Sequence, residues 1–293
     1  MRIIKKKRLE KRGLSSINAI KIYFTTDMHM RESTDRKPDD PNAKAGDRYY
    51  YASMTKFKQM IENANNNPLD AFFICGDIFE DSKDFEWFNA EYDKIDNSMI
   101  KALTIGNHDS AGGVSAYNSL VTGFGYQGNE EIAGSKFNYV VSLSNDYASV
   151  KCIFVDTNFD NNGVHNGVLS GVFTNSEMQW VESEIANSTE DVILLVSHSI
   201  PHLYSITESG IPYFNVENAN AIQNMVESYP RKKIYAVGGH HHVDNVVEYN
   251  NLGNMFKGYV IPSLSRYESS NYVVMNILPN KTITFDTYNV VYN

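Results

Sequence analysis

The sequence predicts an α/β domain with more than one sheet layer, on the basis of two observations. Short apolar runs of strand length alternate with amphipathic segments of helix length along the 293-residue chain. No internal repeat, low-complexity block or linker interrupts this alternation. We therefore expect residues 19–293 to form a single domain. The basic segment 1–18 is expected to be a solvated arm, with a connection to a larger assembly as the alternative.

Seven apolar runs predict the strands. Most of them are rich in Val, Ile, Phe and Tyr, and several are apolar on both faces, as expected of strands that other layers cover. They are residues 19–27, 69–77, 100–109, 149–158, 191–199, 233–241 and 258–265. The chain end, residues 271–293, alternates around the turn "LPNKT" and predicts a terminal hairpin.

Three segments between the strands predict helices. Segment 55–66 places four apolar side chains on one face, namely Phe57, Met60, Ile61 and Ala64. Segment 174–185 opens with Thr174 and has Glu177 three positions later, which is the pattern of a capping box. Segment 217–228 repeats the amphipathic pattern.

Composition argues against several classes of protein. The net charge of −9 disfavours a general affinity for nucleic-acid backbones or anionic membranes. No apolar stretch approaches the ~20 residues that a membrane span needs, and no secretory signal follows the basic start. We expect a cytoplasmic or virion-associated protein, whose oligomeric state the sequence leaves open. Cys75 and Cys152 each lie in an apolar run and are predicted to be buried, unpaired thiols.

Polar residues stand at the ends of five apolar runs. These ends read "TTDMH", "CGD", "GNHD", "SHS" and "GGHHH". In open α/β sheets ligands bind at the carboxyl ends of strands, so these residues are expected to lie together. A mixed imidazole and carboxylate set suits Mn, Fe, Zn or Ni better than Ca or Mg alone. The sequence therefore predicts a metal site of this class.

Each of these pieces has an ordinary explanation when it is taken alone. A "GD" pair is a common turn, and three adjacent histidines could belong to a solvated loop. A single histidine after a strand is more often a hydrogen-bonded core residue than a ligand. Their order along the chain, each after an apolar run, is what indicates one site.

The order of the motifs resembles the calcineurin-like metallophosphoesterase superfamily: D-x-H, GD, GNHD, a single H and then GH-x-H. The match runs from Asp27 to His242 and covers most of the chain. The resemblance implies a four-layer α/β/β/α sandwich, in which helices flank two mixed sheets. It also implies a dinuclear site with two divalent metal ions, manganese being expected and iron, zinc or nickel being the alternatives.

The resemblance assigns a set of ligands to each metal. One metal would be held by Asp27, His29, Asp77 and His242. The other metal would be held by Asp77, Asn107, His198 and His240. Asp77 could bridge the two metals because a carboxylate has two oxygens. Side chains alternate in an extended segment, so the middle histidine of "HHH", His241, would point away.

The same resemblance implies how the site would work. Two metals would clamp a phosphoryl group and hold a shared, bridging hydroxide as the nucleophile. His108 would protonate the leaving group as general acid, and Asp109 would orient it through a hydrogen bond. The alternative role for His108 is to hydrogen-bond the bound phosphate. Arg31, Asn107 and His108 are the expected substrate contacts.

A further group of polar side chains has two interpretations. They are Arg36, Arg48, Tyr49 and Tyr50 in or beside the long polar loop 31–50, together with His165 and His202. Long loops in compact domains are often functional, so these residues could contact the substrate or the metal ligands. A solvated or structural role is at least as well supported for each of them.

Departures from known branches of the superfamily narrow the function. Glu80 stands three residues after Asp77, where purple acid phosphatases place a tyrosine ligand. The arginines and the glutamate of the protein Ser/Thr phosphatase patterns "GDYVDRG" and "RGNHE" do not occur in these motifs. The acidic chain offers no evident DNA-binding face for a nuclease. Residues 46–77 look like part of the manganese-dependent ADP-ribose/CDP-alcohol diphosphatases, but those usually have a glutamine where His29 stands.

Hydrolysis of a phosphodiester is the function that these observations favour. The substrate would be a phosphorylated small molecule, such as a nucleotide-type or polyol-type phosphodiester. A phosphomonoesterase or a nucleoside-diphosphate-linked pyrophosphatase of the same fold is the alternative among enzymes. A non-catalytic binding or scaffold module is the alternative from another class. The full set of ligands argues against that module, because a degenerate relative would usually have lost some of them.

Overall fold

A computed structural model describes eight parts of the chain. They are residues 5–8, 18–30, 53–80, 84–167, 171–201, 216–250, 256–265 and 269–291. Within these parts the chain forms twelve β-strands and five α-helices. None of the helices described here is long and apolar enough to cross a membrane.

The elements follow one another along the whole described chain. The strands are β1 (Lys5–Arg8), β2 (Ile20–Thr25), β3 (Ala71–Cys75), β4 (Ile100–Thr104), β5 (Tyr139–Ser144), β6 (Ser149–Phe154), β7 (Val192–Val196), β8 (Lys233–Gly238), β9 (Val247–Asn250), β10 (Lys257–Val260), β11 (Ser269–Ile277) and β12 (Ile283–Val291). The helices are α1 (Ser53–Asn66), α2 (Phe85–Tyr92), α3 (Val114–Gly123), α4 (Asn175–Ala186) and α5 (Ala219–Glu227), with a 3₁₀ turn at Tyr126–Gly128.

The strands form two mixed sheets. The larger sheet has seven strands in the order β1-β5-β6-β7-β8-β10-β9, and the smaller has five in the order β12-β11-β2-β3-β4. Strands β6, β7, β8 and β10 run parallel in the larger sheet, and β2, β3 and β4 run parallel in the smaller one. Parallel neighbours end at the same edge of a sheet. Each sheet therefore gathers the residues that follow its central strands.

The central strands are buried on both faces. In β3, Phe73 and Cys75 face a core between the two sheets, while Phe72 and Ile74 face the outer helices. Helices α1, α2 and α3 cover the smaller sheet, and α4 and α5 cover the larger one. This arrangement is the four-layer α/β/β/α sandwich that the family resemblance implies, so the predicted fold class is confirmed.

The predicted elements are present at their predicted places. All seven apolar runs contain a strand, and all three helical segments contain a helix. The four side chains of the predicted apolar face of α1 are all buried. Strands β11 and β12 form the terminal hairpin, paired from Ser269 opposite Val291 to Ile277 opposite Ile283. The thiols of Cys75 and Cys152 are buried and unpaired, as predicted.

Part of the basic segment belongs to a sheet. Strand β1 pairs in parallel with β5, with Lys5 opposite Val141 and Arg8 opposite Ser144. It lies at the edge of the larger sheet. The division of the chain into an arm and one domain stays a prediction.

Helices α2 and α3 are not evident from the sequence. Helix α3 reads "VSAYNSLVTG" and is rich in residues with modest helix propensity, yet Tyr117 and Leu120 are buried against the core. Helix α2 is short, and its Phe88 stacks on Phe57 of α1 with ring centroids 5.8 Å apart. Both helices are thus stabilised mainly by packing, which local sequence patterns do not reveal.

The capping box at the start of α4 is expected to contribute measurably to stability. Thr174 Oγ1 accepts from the Glu177 backbone N–H at 3.2 Å, and Glu177 Oε2 accepts from the Thr174 N–H at 2.8 Å. Thr174→Ala should lower the free energy of unfolding by about 1 kcal/mol, because the amide of Glu177 loses its partner. Urea unfolding followed by circular dichroism measures this change.

Thr189→Ala is the matched control for that substitution. Thr189 is exposed in the turn before β7, so its loss should change the free energy of unfolding by less than about 0.5 kcal/mol. Equal effects of the two substitutions would contradict the contribution of the capping box.

Candidate metal centre

The predicted site residues follow parallel strands of both sheets. They are Asp27 and His29 after β2, Asp77 after β3, Asn107, His108 and Asp109 after β4, His198 after β7, and His240 and His242 after β8. The sheets meet at this end of the sandwich. The His240 backbone N–H donates to Asp27 Oδ2 at 2.9 Å, across 213 positions of the sequence. One site is therefore built from the strand ends of two sheets.

An uncommon backbone conformation marks five of the seven predicted metal ligands. Their φ angles lie between +46° and +71° at Asp27, His29, Asp77, His240 and His242. Elsewhere in the described chain only Ala133 and Lys281 share positive φ among non-glycine residues. Such a conformation costs roughly 1–3 kcal/mol per residue and persists only where the surroundings fix it. Backbone strain in this protein is thus concentrated at the candidate site.

Gly106 allows the loop after β4 to approach Asp77 closely. A Cβ at this position would lie 2.2 Å from Asp77 Oδ1, which is closer than two non-bonded atoms can approach. The backbone N–H of His108 donates to the same oxygen at 2.9 Å. Asp77 therefore fixes the loop that carries Asn107 and His108 with one oxygen and keeps the other oxygen for the site.

The four residues that the resemblance assigns to one metal lie together: Asp27, His29, Asp77 and His242. Each offers a ligand atom, and these atoms lie within 4.8 Å of one another. His242 Nε2 is 3.1 Å from Asp27 Oδ1 and 2.9 Å from His29 Nε2. His29 Nε2 is 3.6 Å from Asp77 Oδ2. Nitrogen and oxygen donors thus converge from three strand ends.

The second set of residues shares Asp77 with the first. His198 Nε2 is 3.2 Å from Asp77 Oδ2, and His240 Nδ1 is 3.2 Å from His198 Nε2. These three residues form another cluster of ligand atoms within 4.8 Å. Asn107, the fourth member, is buried in the loop that Asp77 fixes. Asp77 Oδ2 thus faces a histidine of each cluster, as a bridging ligand would.

Three buried oxygen atoms make these clusters suitable for cations. Among the described residues, no partner of hydrogen-bond geometry reaches Asp27 Oδ1, Asp77 Oδ2 or Asn107 Oδ1. A buried acceptor without a partner costs about 1–3 kcal/mol, and a charged one costs more. Divalent cations satisfy such oxygens, and carboxylate, amide and imidazole donors together suit Mn, Fe, Zn or Ni. The residues therefore fit the dinuclear site that the resemblance implies.

The electrostatic potential of the site also favours cations. Burial opposes the ionisation of Asp77. The neighbouring histidines, of which His198 has the largest effect, outweigh burial and hold the pKa of Asp77 well below its usual range. Burial also favours the neutral ring of His198, yet Asp77 outweighs it and raises the pKa of His198 to about 9. The negative potential that attracts a proton to this ring attracts a metal ion in the same way.

The far nitrogens of two ligand rings are held by hydrogen bonds. His198 Nδ1 donates to the Cys75 carbonyl oxygen at 2.7 Å, which orients the ring so that Nε2 faces Asp77. His29 Nδ1 lies 2.5 Å from Glu80 Oε2. Partners of this kind fix the tautomer and the orientation of a metal-binding histidine. For His240, burial and then His198 lower the pKa to about 3, so its ring is neutral and can act as a ligand.

The structure gives Asp109 a role different from the predicted one. The side chain is fully buried, and its oxygens accept from the backbone N–H groups of Gly106, Ile78 and Phe79 at 2.8, 3.2 and 2.8 Å. Burial has the largest effect on the pKa of Asp109, and the charge of Asp77 acts in the same direction. Together they raise this pKa to about 6, although the three N–H donors tend to lower it. Asp109 therefore joins the loops after β3 and β4, and it does not orient His108.

Glu80 takes the place that the sequence analysis gave to Asp109. Its Oε2 is 2.8 Å from His108 Nδ1 and 2.5 Å from His29 Nδ1. Burial opposes the ionisation of Glu80, but hydrogen bonds from His108 and His29 outweigh it and hold the pKa of Glu80 below its usual value. One ionised carboxylate thus connects a metal ligand with the expected general acid.

The sequence contained a partial signal for Glu80. Its position, three residues after Asp77, is the position of a metal ligand in purple acid phosphatases, which indicates that the residue there faces the site. The contact with His108 had no signal of its own, because the two residues lie on different loops that only the tertiary structure brings together.

Two of the remaining candidates, His241 and His165, belong to neither ligand cluster. His241 Nδ1 is 3.3 Å from the Tyr249 hydroxyl, and His241 belongs to neither ligand cluster. His165 pairs with Asp156 rather than with a ligand. Several proposed contacts lie outside the described residues: Arg31, Arg36, Arg48, Tyr49, Tyr50 and His202.

Solved structures share the fold at low sequence identity. A dimetal phosphatase from Danio rerio is 13% identical and superposes with a TM-score of 0.66, over 94% of this chain and 100% of that one. A purple acid phosphatase from yellow lupin (Lupinus luteus) is 14% identical with a TM-score of 0.62, over 95% of this chain and 53% of that one. The chain thus spans about half the length of the lupin enzyme. No curated protein sequence matches the chain.

The sequence itself matches a family model described as calcineurin-like phosphoesterase over residues 20–244, which is most of the chain. The match contains both ligand clusters, and the shared fold agrees with it. These findings support a metal-dependent phosphoester hydrolase with a dinuclear divalent metal site. The chain belongs to the calcineurin-like phosphoesterase family.

Proposed function

We propose that this protein hydrolyses phosphodiesters with two divalent cations, Mn²⁺ being the favoured metal, and with His108 as general acid. The observation that carries the proposal is the pair of ligand clusters that share Asp77, each with buried oxygens that lack a hydrogen-bond partner among the described residues. When bound, the cations would polarise the phosphoryl group and activate a water molecule as nucleophile. The protein would supply position, charge and a proton.

Manganese suits the mixture of donors. The two sets combine carboxylates, an amide oxygen and imidazoles, and Mn²⁺ accepts both oxygen and nitrogen ligands. Glu80 stands at the position of the tyrosine ligand of purple acid phosphatases, so a tyrosinate-bound iron site is disfavoured. Iron, zinc and nickel remain the alternative metals.

The exposure and the contacts of His108 support its proposed role as general acid. Its side chain is 21% exposed, whereas the neighbouring Asp77 is 1% exposed, so His108 lies at the solvent side of the ligands. Glu80 engages Nδ1, which leaves proton transfer to Nε2. The backbone of His108 is bound to Asp77 Oδ1, so the acid keeps a fixed position relative to the metal ligands.

A diester is the favoured substrate because His108 is present and because the motifs lack the arginines of the protein Ser/Thr phosphatase patterns. An alkoxide needs a proton as it departs, and an acid beside the ligands contributes most to that step. We propose nucleotide-type or polyol-type diesters of small molecules as substrates. A phosphomonoester or a nucleoside-diphosphate-linked compound is the alternative, and it would use the same residues.

Asp77→Asn tests the shared ligand. Removal of the charge that both clusters share should lower turnover of bis-p-nitrophenyl phosphate by more than about 100-fold and should reduce the bound Mn²⁺ below two per chain. Turnover and metal content, the latter by plasma mass spectrometry, are measured after reconstitution. Asp146→Asn, at an exposed position, is the control and should resemble the wild type. Two bound metals and undiminished turnover in Asp77→Asn would contradict the proposed site.

His108→Ala tests the general acid. On a glycerophosphodiester, whose leaving group is an alkoxide, kcat should fall by roughly 10²–10⁴-fold, because the departing oxygen receives no proton. On bis-p-nitrophenyl phosphate, whose leaving group is a weak base, the loss should be much smaller. Steady-state kinetics with saturating Mn²⁺ measures both. Equal losses on the two substrates would instead indicate that His108 binds the phosphate.

The two carboxylates near His108 should respond differently to substitution. Glu80→Gln should lower kcat by about 10–100-fold with little loss of stability, because the partner of His108 loses its charge. Asp109→Asn should lower the free energy of unfolding by about 1–3 kcal/mol, because it weakens the acceptor of three buried N–H groups. Kinetics and urea unfolding of both variants measure the contrast. If Asp109→Asn loses turnover at full stability, the predicted role of Asp109 as orienting partner returns.

A further inference from the structure

His165 and Asp156 form a buried histidine–carboxylate pair outside the two ligand clusters. His165 Nε2 is 2.9 Å from Asp156 Oδ2, and the two side chains are only 8% and 0% exposed. Ser135 Oγ donates to the same oxygen at 2.8 Å. The motifs of the family do not include this pair, and its burial keeps it from direct contact with a substrate.

Asp156 is connected to the beginning of the loop that carries the proposed acid. Its Oδ1 accepts from Asn158 Nδ2 at 2.8 Å, and Asn158 Nδ2 also donates to the Ile105 carbonyl oxygen at 3.0 Å. Ile105 directly follows Thr104, the last residue of β4, and the loop with His108 starts there. The side chain of Asn158 thus connects the buried carboxylate of Asp156 to the start of the loop.

His165 is connected to the end of the same loop. Its ring stacks on Tyr117 of α3 with centroids 3.7 Å apart, and α3 begins at Val114, directly after the loop. The backbone of this segment also contacts the loop, because a Cβ at Gly167 would lie only 2.6 Å from the Asn107 carbonyl oxygen. Residues 158–167 therefore contact the loop at its start, middle and end.

The carboxylate of Asp156 is held by hydrogen bonds as well as by packing. Burial opposes the ionisation of Asp156. The contact with His165 has the largest opposing effect, and the hydrogen bonds from Ser135 and Asn158 add to it, so that the pKa of Asp156 lies below its usual value. The Asp156 backbone N–H donates to Asn138 Oδ1 at 2.7 Å. An ionised, buried carboxylate with this many donors has one favourable arrangement, so it can fix its neighbours.

We propose that Asp156 and His165 are positioning residues, which hold the loop 105–113 so that His108 keeps its place beside the metal ligands. This inference rests on the proposed role of His108 as general acid. A residue that does not touch the substrate can still control turnover, because a misplacement of about 1 Å costs on the order of 100-fold in rate.

The loop provides the first test, which does not depend on turnover. Asp156→Asn keeps the shape of the side chain and removes its charge, so amide hydrogen exchange in residues 105–113 should accelerate on the order of tenfold. Glu184→Gln is the matched control, since it also removes a buried carboxylate, one that pairs with Lys151 at 3.2 Å in another part of the fold. Unchanged exchange of the loop in Asp156→Asn, or an equal acceleration in Glu184→Gln, would overturn the proposal.

A double-mutant cycle provides the second test. With saturating Mn²⁺, His165→Gln should lower kcat on the glycerophosphodiester by about tenfold and leave KM unchanged. In the His108→Ala background the same substitution should cost less than about twofold, because the positioning acts through His108. Losses that multiply in the double variant would show a general structural role and overturn the proposal. If His108→Ala alone leaves turnover intact, the proposed function fails, and hydrogen exchange then decides the positioning role by itself.

Discussion

The site depends on one buried carboxylate, that of Asp77. Its Oδ1 accepts from the His108 backbone, and its Oδ2 lies 3.6 Å from His29 Nε2 and 3.2 Å from His198 Nε2. At 1% exposure this charge has almost no access to water and requires cationic partners. Both ligand clusters include Asp77, and the acid-bearing loop is bound to it. The neighbouring strands of both sheets therefore place their end residues around the end of β3.

The backbone around Asp77 is strained, and the rest of the fold has to offset that strain. Five predicted ligand residues adopt positive φ, and the carboxylates of Asp27 and Asp77 are buried at the end of the sandwich. Asp109 opposes the strain by accepting three backbone N–H groups, which joins the loops after β3 and β4. Cations that bind only the folded site would add stability by mass action. Metal binding and folding should therefore be linked in this protein.

The ends of the apolar strands indicated one shared site, because parallel strand ends meet, and the resemblance to the family then assigned the ligands. The contacts of His108 could not be predicted, since they cross between loops. Its sequence neighbour Asp109 turns toward backbone N–H groups, whereas Glu80 on another loop reaches its ring. The layers could be predicted from strands such as β3, which is apolar on both faces and fully buried. Helices α2 and α3 could not, because packing rather than local propensity stabilises them.

The contacts of His108 explain how a partly exposed side chain can keep a fixed position, as its proposed role as general acid requires. Asp77 fixes its backbone, and Glu80 contacts Nδ1 while it also holds His29, so a shift of His29 and a shift of His108 would be coupled. The segment with Asp156 and His165 contacts the same loop through Asn158 and Gly167. An acid must meet its substrate and must therefore remain accessible to solvent, which deprives it of stabilisation by burial. The carboxylates of Asp77 and Glu80, on the loop after β3, and of Asp156, on another segment, would supply that stabilisation instead. Nε2 is the ring atom that we propose for proton transfer.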